Sequence, residues 1–284
     1  MLKKTNFAIV GYGHIGKRHA QIINENRDSQ LVAICDIKPK KDLDLGDFEI
    51  PFFTSVDTML FSDIAIDVVN ICTPNGLHAQ QAIKALEARK HVVIEKPMAL
   101  KKADCERIIY KALEVSKQVF VVMQNRYSPP IKWLKEVIEE NLLGEIFLVQ
   151  INCYWNRDKR YYSPNGIKHF WHGSKELDGG VLFTQFAHFI DIMYWLFGDI
   201  KNIQNRATNF NHQKTTHFSD TGVASFEFVE GGIGTLNYST AIWDKNFESS
   251  ITVIGENGTI KIGGQYMDQV IYCHINDYQM PILA

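Results

Sequence analysis

The chain has 284 residues, enough for two domains at roughly 150 residues each. Hydrophobic residues make up 45% and charged residues 22%, the balance of a globular chain with a sizeable core, and a net charge of −2 gives no basic excess for nucleic acid or an anionic membrane. The cysteines (Cys35, Cys72, Cys105, Cys153 and Cys273) are odd in number and none falls in a CxxC, which argues against a disulfide framework or a thiolate zinc site, so no metal is expected. Met1-Leu2-Lys3-Lys4 leads straight into a strand-like run without a signal-peptide core, and no apolar stretch approaches the roughly 18–20 residues of a membrane span. A reducing, cytoplasmic setting is the expectation.

The first part alternates strand and helix patterns. Residues 6–10 read as a strand, 14–26 as a helix and 31–35 as a strand. Residues 67–72 and 91–94 are short Val/Ile-rich runs, 76–89 and 103–116 are helical, and 119–123 is a further strand. Strands apolar on both faces and separated by helices imply a parallel, doubly wound sheet, an α/β Rossmann arrangement. Ser128-Pro129-Pro130 interrupts this rhythm, because proline removes amide donors, and marks a domain crossover. A helix is expected over 131–142. The pattern then changes class: 145–155, 202–210, 221–229, 233–240, 250–254, 259–262 and 270–274 alternate or carry β-branched residues, with hairpin signals at Gly231-Gly232 and Glu256-Asn257-Gly258. One long helix is predicted over 181–197. The expectation is an NAD-binding domain over 1–123 and, over 124–284, an α+β domain with an open, mostly antiparallel sheet that binds substrate and carries oligomer contacts. The aromatic residues divide the same way, 8 in 1–122 and 25 in 123–284.

Gly11-Tyr12-Gly13-His14-Ile15-Gly16 follows the first strand and opens a helix, and Asp36 stands at the end of the second strand. In that setting the glycines serve a tight turn, a close approach of backbone to a pyrophosphate, and helix–strand packing, while the helix N-terminus receives the phosphates. Asp36 can accept from both ribose hydroxyls and would repel a 2′-phosphate, favouring NAD over NADP; Lys38 is a nearby cation that could instead help hold that phosphate. Cys72-Thr73-Pro74-Asn75-Gly76-Leu77-His78 and Glu95-Lys96-Pro97 also follow buried strands, where ligands bind in open α/β sheets. Taken singly, the first is also a common helix-opening turn and the second an ordinary solvated pair.

These motifs, with Lys17-Arg18-His19 after the glycine loop and the distal Gly179-Gly180 followed by His188 and Asp191, resemble the glucose–fructose oxidoreductase/inositol dehydrogenase (Gfo/Idh/MocA) family across nearly the whole chain. The resemblance implies an NAD(P)-dependent dehydrogenase acting on a CH–OH donor. It places Gly11, Gly13, His14, Ile15, Gly16, Asp36, Thr73, Pro74, Asn75, His78, Glu95, Lys96 and Gln124 at the cofactor. It places Lys96 at the reacting carbon, where an amine can take the proton lost from a hydroxyl or steady the developing alkoxide. Thr184, His188 and Asp191 fall at i, i+4 and i+7 of the expected apolar helix, so His188 reads as a catalytic partner and Asp191 either orients it or holds the helix. The family often has Asp where Thr184 stands, which removes a carboxylate and puts more weight on Lys96 and His188.

Arg126, which follows the last Rossmann strand with Gln124 and Asn125, is expected at the cofactor–substrate junction. In the segment 154–180, Tyr161 and Trp171 offer faces to a sugar or base, and Arg157 or Arg160 could pair with a carboxylate or diphosphate; packing beneath the loop or at a subunit contact is the competing use. With Gln185 and the later Ile260-Lys261-Ile262-Gly263-Gly264-Gln265, this stretch is similar to the subfamily that oxidises UDP-N-acetylhexosaminuronates at C3 (WlbA-type) for surface-polysaccharide, including lipopolysaccharide, synthesis. Thr184, Gln185 and His188 are expected at the same substrate. The partners implied are a sugar nucleotide and further copies of the chain in a dimer or tetramer, with neither nucleic acid nor membrane. A catalytically silent NAD- and sugar-binding regulator is the alternative. The ending at Pro281-Ile282-Leu283-Ala284 reads either as a naturally short member or as a truncation.

Overall fold

The computed structural model describes residues 4–45 and 49–283, so residues 1–3 and Ala284 at the chain ends lie outside the described residues. It divides into two compact units: residues 1–122 with 176–178, and residues 123–175 with 179–284.

In the first unit β1 (Thr5–Val10), β2 (Ser29–Cys35), β3 (Phe52–Phe53), β4 (Val68–Ile71), β5 (His91–Ile94) and β6 (Val119–Val121) form one parallel sheet in the order β3-β2-β1-β4-β5-β6. Helices α1 (His14–Glu25), α2 (Val56–Leu60), α3 (His78–Glu87) and α4 (Lys102–Glu114) link the strands. All four residues of β4 are buried, as expected of a strand covered on both faces. Side chains alternate across β1: Ala8 and Val10 join one apolar core with Val69, Ile71, Ala82 and Leu86, while Ile9 joins another with Ala20, Ile23 and Ile34. Helix α1 buries Gly16, Ala20 and Ile23, one stripe at helical spacing. The predicted α/β Rossmann class is thus present. The two-residue strand β3 and the short helix α2 were not anticipated, being too brief to show a period.

The second unit begins with α5 (Pro129–Glu139), which starts two residues before the predicted helix because Pro129 occupies its first turn, where a missing amide costs nothing. Strand β7 (Ile146–Tyr154) follows, then the short helices α6 (Lys159–Tyr162) and α7 (Val181–Thr184), then α8 (Ala187–Phe197). Strands β8 (Ile200–Thr208), β9 (Thr221–Phe228), β10 (Ile233–Ser239), β11 (Glu248–Gly255), β12 (Gly258–Gly263) and β13 (Gln269–Ile275) complete a sheet ordered β13-β12-β11-β7-β10-β9-β8. It is antiparallel except for the β7–β10 pair. One face packs Val149, Ile151, Leu236, Ile251 and Val253 against Leu134 and Val137 of α5 and Phe189, Ile192 and Leu196 of α8. The register places Gln150, Asn152, Thr235, Asn237, Thr252 and Lys261 on the other face.

The single helix predicted over 181–197 is a correction. The amides of Gln185 and Phe186 both donate to Val181 O, Phe186 has non-helical backbone angles, and a new helix starts at Ala187. This break lets Phe186 and Phe189, both buried, pack edge-on against the Trp155 ring, with centroids 5.3 and 5.9 Å away. Thr184 therefore ends α7 while His188 and Asp191 sit on α8, and the three do not share one continuous helical face.

Candidate active site

The parallel sheet reverses its order between β1 and β4, and the loops after β1, β4 and β5 leave the same sheet edge. Gly11 has φ +89°, and a Cβ there would stand 2.7 Å from Cys72 O in the neighbouring loop. A Cβ on Gly16 would lie 2.0 Å from Gly11 O, so glycine alone lets α1 start this close to the turn. Gly13 caps α1 without a side-chain hydrogen bond, and a Cβ built on it meets no protein atom within 4 Å. His14 and Ile15 are exposed at this helix end. The first-turn amides and the open approach over Gly13 fit a diphosphate. The Asp36 carboxylate is fixed beside the loop, accepting from Tyr12 N–H at 2.7 Å and Lys38 N–H at 2.9 Å. Its remaining lone pairs suit ribose hydroxyls, so these residues fit a dinucleotide.

In the second loop Thr73 Oγ1 donates to Gln81 Oε1 at 2.5 Å and Pro74 is half-buried. Asn75 and His78, expected at the cofactor, are turned inward. Asn75 is buried and its Nδ2 donates to Asp178 O at 2.8 Å, while Gly76 N–H donates to Leu177 O at 2.9 Å. His78 is fully enclosed, with Nδ1 2.7 Å from Pro97 O and Nε2 2.8 Å from Thr73 O. Burial pulls its pKa below the usual imidazole value against the pull of those carbonyls. Contrary to the outward orientation expected of cofactor ligands, both side chains brace the loop from within, while Thr73 and Pro74 are half-exposed. In the third loop Lys96 is half-buried, and its neighbour Glu95 meets His19 Nε2 at 3.0 Å. Burial alone would raise the Glu95 pKa, but hydrogen bonding from His19 and the nearby Lys96 ammonium turn the shift downward, keeping the carboxylate ionised.

In the second unit Gln124 is exposed in the turn before α5. Arg126 and Asp191 are partners: Arg126 Nε donates to Asp191 Oδ2 at 2.6 Å and Nη2 donates to Oδ1. The Arg126 guanidinium also lies 5.4 Å from the Trp195 ring centroid. This bidentate pair answers both expectations differently from the sequence reading. Asp191 accepts both hydrogen bonds from the Arg126 guanidinium, a pairing that the helical spacing of Asp191 and His188 did not suggest. His188 is buried in the first turn of α8.

Arg157 and Arg160 separate clearly. Arg160 is exposed and paired with Asp158 and Asp244. Arg157 lies over the rings of Trp155 and Tyr161, 4.9 and 5.3 Å from their centroids, and donates to Asn156 O and Asn246 Oδ1. Among the described residues no carboxylate pairs with it, and burial lowers its pKa. The stack continues from Tyr161 to His172 (4.1 Å, 6° between planes) and on to His169 (4.0 Å, 16°). His172 donates from Nδ1 to Tyr161 O, and burial with the neighbouring His169 lowers its pKa to about 4, so the ring is neutral near pH 7. Trp171 meets His172 edge-on at 3.9 Å. Gln185 is buried; its Nε2 donates to Tyr161 OH at 3.2 Å and its Oε1 has no hydrogen-bond partner among the described residues. His169 and His172 were missed as members of this cluster. Their aromatic neighbours in 161–172 carried the signal, but stacking across a loop has no sequence period.

Two family models match the sequence: the oxidoreductase family, NAD-binding Rossmann fold, over residues 5–123, and the GFO/IDH/MocA C-terminal domain over residues 131–261. The crystal structure of the WlbA dehydrogenase from Bordetella pertussis in complex with NADH and UDP-GlcNAcA is 31% identical and superposes with a TM-score of 0.89, covering 98% of this chain and 79% of that one. The 2,7-anhydro-N-acetylneuraminate hydratase of Escherichia coli is 24% identical over 92% of this chain and 68% of its own length. The myo-inositol 2-dehydrogenase of Thermotoga maritima is 23% identical over 89% and 73%.

The position of Asp36 predicts tighter binding of NAD than of NADP, and Asp36→Ser should weaken NAD at least tenfold and narrow that preference. Calorimetry with both dinucleotides checks this; NADP binding more tightly to the unaltered protein would refute the assignment.

Proposed function

Since the chain belongs to the Gfo/Idh/MocA oxidoreductase family and carries its NAD-binding Rossmann domain, we propose that it oxidises C3 of a UDP-N-acetylhexosaminuronate used in surface-polysaccharide synthesis. The observation that carries the substrate class is Arg157. A guanidinium that lies against two aromatic rings, is half withdrawn from water and has no carboxylate partner among the described residues is suited to bind an anion. A uronate carboxylate or a diphosphate supplies that charge, and the Tyr161–His172–His169 stack beside it offers flat surface for sugar C–H faces or a base. Likeness to a dehydrogenase crystallised with NADH and UDP-GlcNAcA supports the same substrate class.

NAD, when bound, supplies the hydride acceptor. In the first unit, the α1 N-terminus holds the diphosphate, Asp36 the ribose, and the exposed parts of Thr73 and Pro74 the adjoining rim. Lys96, once its resting ammonium has released a proton to solvent, takes the hydroxyl proton while the carbon loses hydride, leaving a ketone and an ammonium that steadies the oxygen as its charge develops. Glu95 is the carboxylate beside that lysine. In the second unit, Arg157 binds the anionic group, Tyr161 and Trp171 the sugar or base, and Thr184 and Gln185 the sugar's polar edge. His188, buried at the start of α8, is the second proton-handling residue.

The polar face of the second sheet, which also exposes Val223, Ile233 and Tyr272, is the surface we assign to contact with further copies of the chain. Sedimentation should show a dimer or tetramer, and a single-chain mass at every concentration would refute this.

Lys96→Met should reduce NADH formation from UDP-GlcNAcA at least a thousandfold with the NAD Kd within threefold; undiminished turnover would refute the role of Lys96. Arg157→Gln should raise KM for UDP-GlcNAcA at least tenfold, by loss of a charge-assisted pair of about 1.5–3 kcal/mol. NAD binding without any NADH formation by the unaltered protein would favour a non-catalytic binder.

A further inference from the structure

We propose that His19 and His78 are positioning residues that hold the Lys96 loop from its two sides. This rests on the reading of Lys96 as the proton acceptor and adds how its place is set.

The first tie starts in the sheet. Asn70, buried in β4, donates from Nδ2 to His19 Nδ1 at 2.9 Å. The opposite ring nitrogen, Nε2, donates to Glu95 Oε1 at 3.0 Å. The other carboxylate oxygen, Oε2, accepts the Lys96 backbone N–H at 3.2 Å. The side chains of His19 and Glu95 are only 13% and 15% exposed, so the linkage is shielded from competing water. The second tie comes from α3. The His78 ring, with no exposed surface, fills the space between Thr73 O and Pro97 O and touches both at hydrogen-bond distance.

Lys96 is thus the middle of three residues whose neighbours are each fixed by a histidine from a different helix. Apolar residues at these two positions would pack without the cost of burying an imidazole. What the histidines add is direction toward the backbone and carboxylate of one loop. His19 also sits one turn beyond Gly16 on α1, the helix whose first turn receives the diphosphate. One rigid helix therefore registers both the cofactor end and the lysine loop. Misplacing a reacting group by about 1 Å can cost on the order of a hundredfold in rate, so this registration bears on turnover more than on binding.

The test compares His19→Leu, which removes the donor, with His19→Gln, whose amide can still donate to Glu95. Three quantities are measured: kcat for NADH formation with UDP-GlcNAcA, the NAD Kd, and amide exchange in a peptide covering residues 95–100. His19→Leu should lower kcat at least tenfold with the NAD Kd within threefold, and should speed exchange at the Lys96 amide. His19→Gln should restore kcat to within threefold and exchange to the original rate. Equal kcat in the two variants, or a His19→Leu loss matched by weakened NAD binding, would overturn the proposal. Unchanged exchange in His19→Leu would overturn it too, and that readout needs no turnover. Full activity of Lys96→Met would instead strike the reading of Lys96, and the exchange result would still decide whether His19 fixes the loop.

Discussion

The cofactor unit depends on how closely three strand-end loops pack on one another. Gly11 lies against Cys72 O, α1 begins against Gly11 O, and the His78 ring bridges the second loop to the third. The first two are backbone approaches that a Cβ would prevent, and the third is a side-chain bridge. The parallel sheet makes the approach possible, because β1, β4 and β5 end on one edge and their loops have nowhere else to go. The helix dipole and the first-turn amides then act at a fixed place, and Lys96 emerges between two braced neighbours.

The second unit solves a different problem with different residues. An antiparallel sheet covered on one face needs bulky side chains to fill the layer beneath its helices, and Trp155, Phe186 and Phe189 do this by edge-on packing. The same aromatic richness continues outside the core, where Tyr161, His172 and His169 stack beside Arg157. Charges sort by partner in this unit. Arg126 with Asp191 and Arg160 with Asp158 are closed pairs, whereas Arg157 has rings and amides but, among the described residues, no carboxylate. An unneutralised, partly buried guanidinium is costly, and a site that keeps one gains affinity for an anion.

Much of the fold was legible in the sequence because it rests on period. Val and Ile runs give buried parallel strands, and Gly16, Ala20 and Ile23 give the inner stripe of α1. The glycine loop and Asp36 were legible because the chemistry of a diphosphate and a diol dictates residue type and spacing. Asn75 and His78 were read as cofactor ligands because they stand in the right loop; only three dimensions show that they face inward. The run 181–197 is mostly apolar, with Thr184, Gln185, His188 and Asp191 its polar members, so its pattern held no sign of the break at Phe186, where the chain packs against Trp155. Asp191 and Arg126 are 65 residues apart, and no local spacing announces such a pair. Arg157 was named for the substrate over Arg160 on sequence alone, and the partners that separate the two, Asp158 and Asp244 for Arg160, follow from the fold and not from spacing.

The claim that hydride leaves a sugar carbon is tested most directly with UDP-GlcNAcA carrying deuterium at C3, incubated with NAD and the unaltered protein. The account predicts NADH that contains one deuterium, formed together with a 3-keto sugar nucleotide. NADH without deuterium, or an altered sugar with no net NADH, would contradict it.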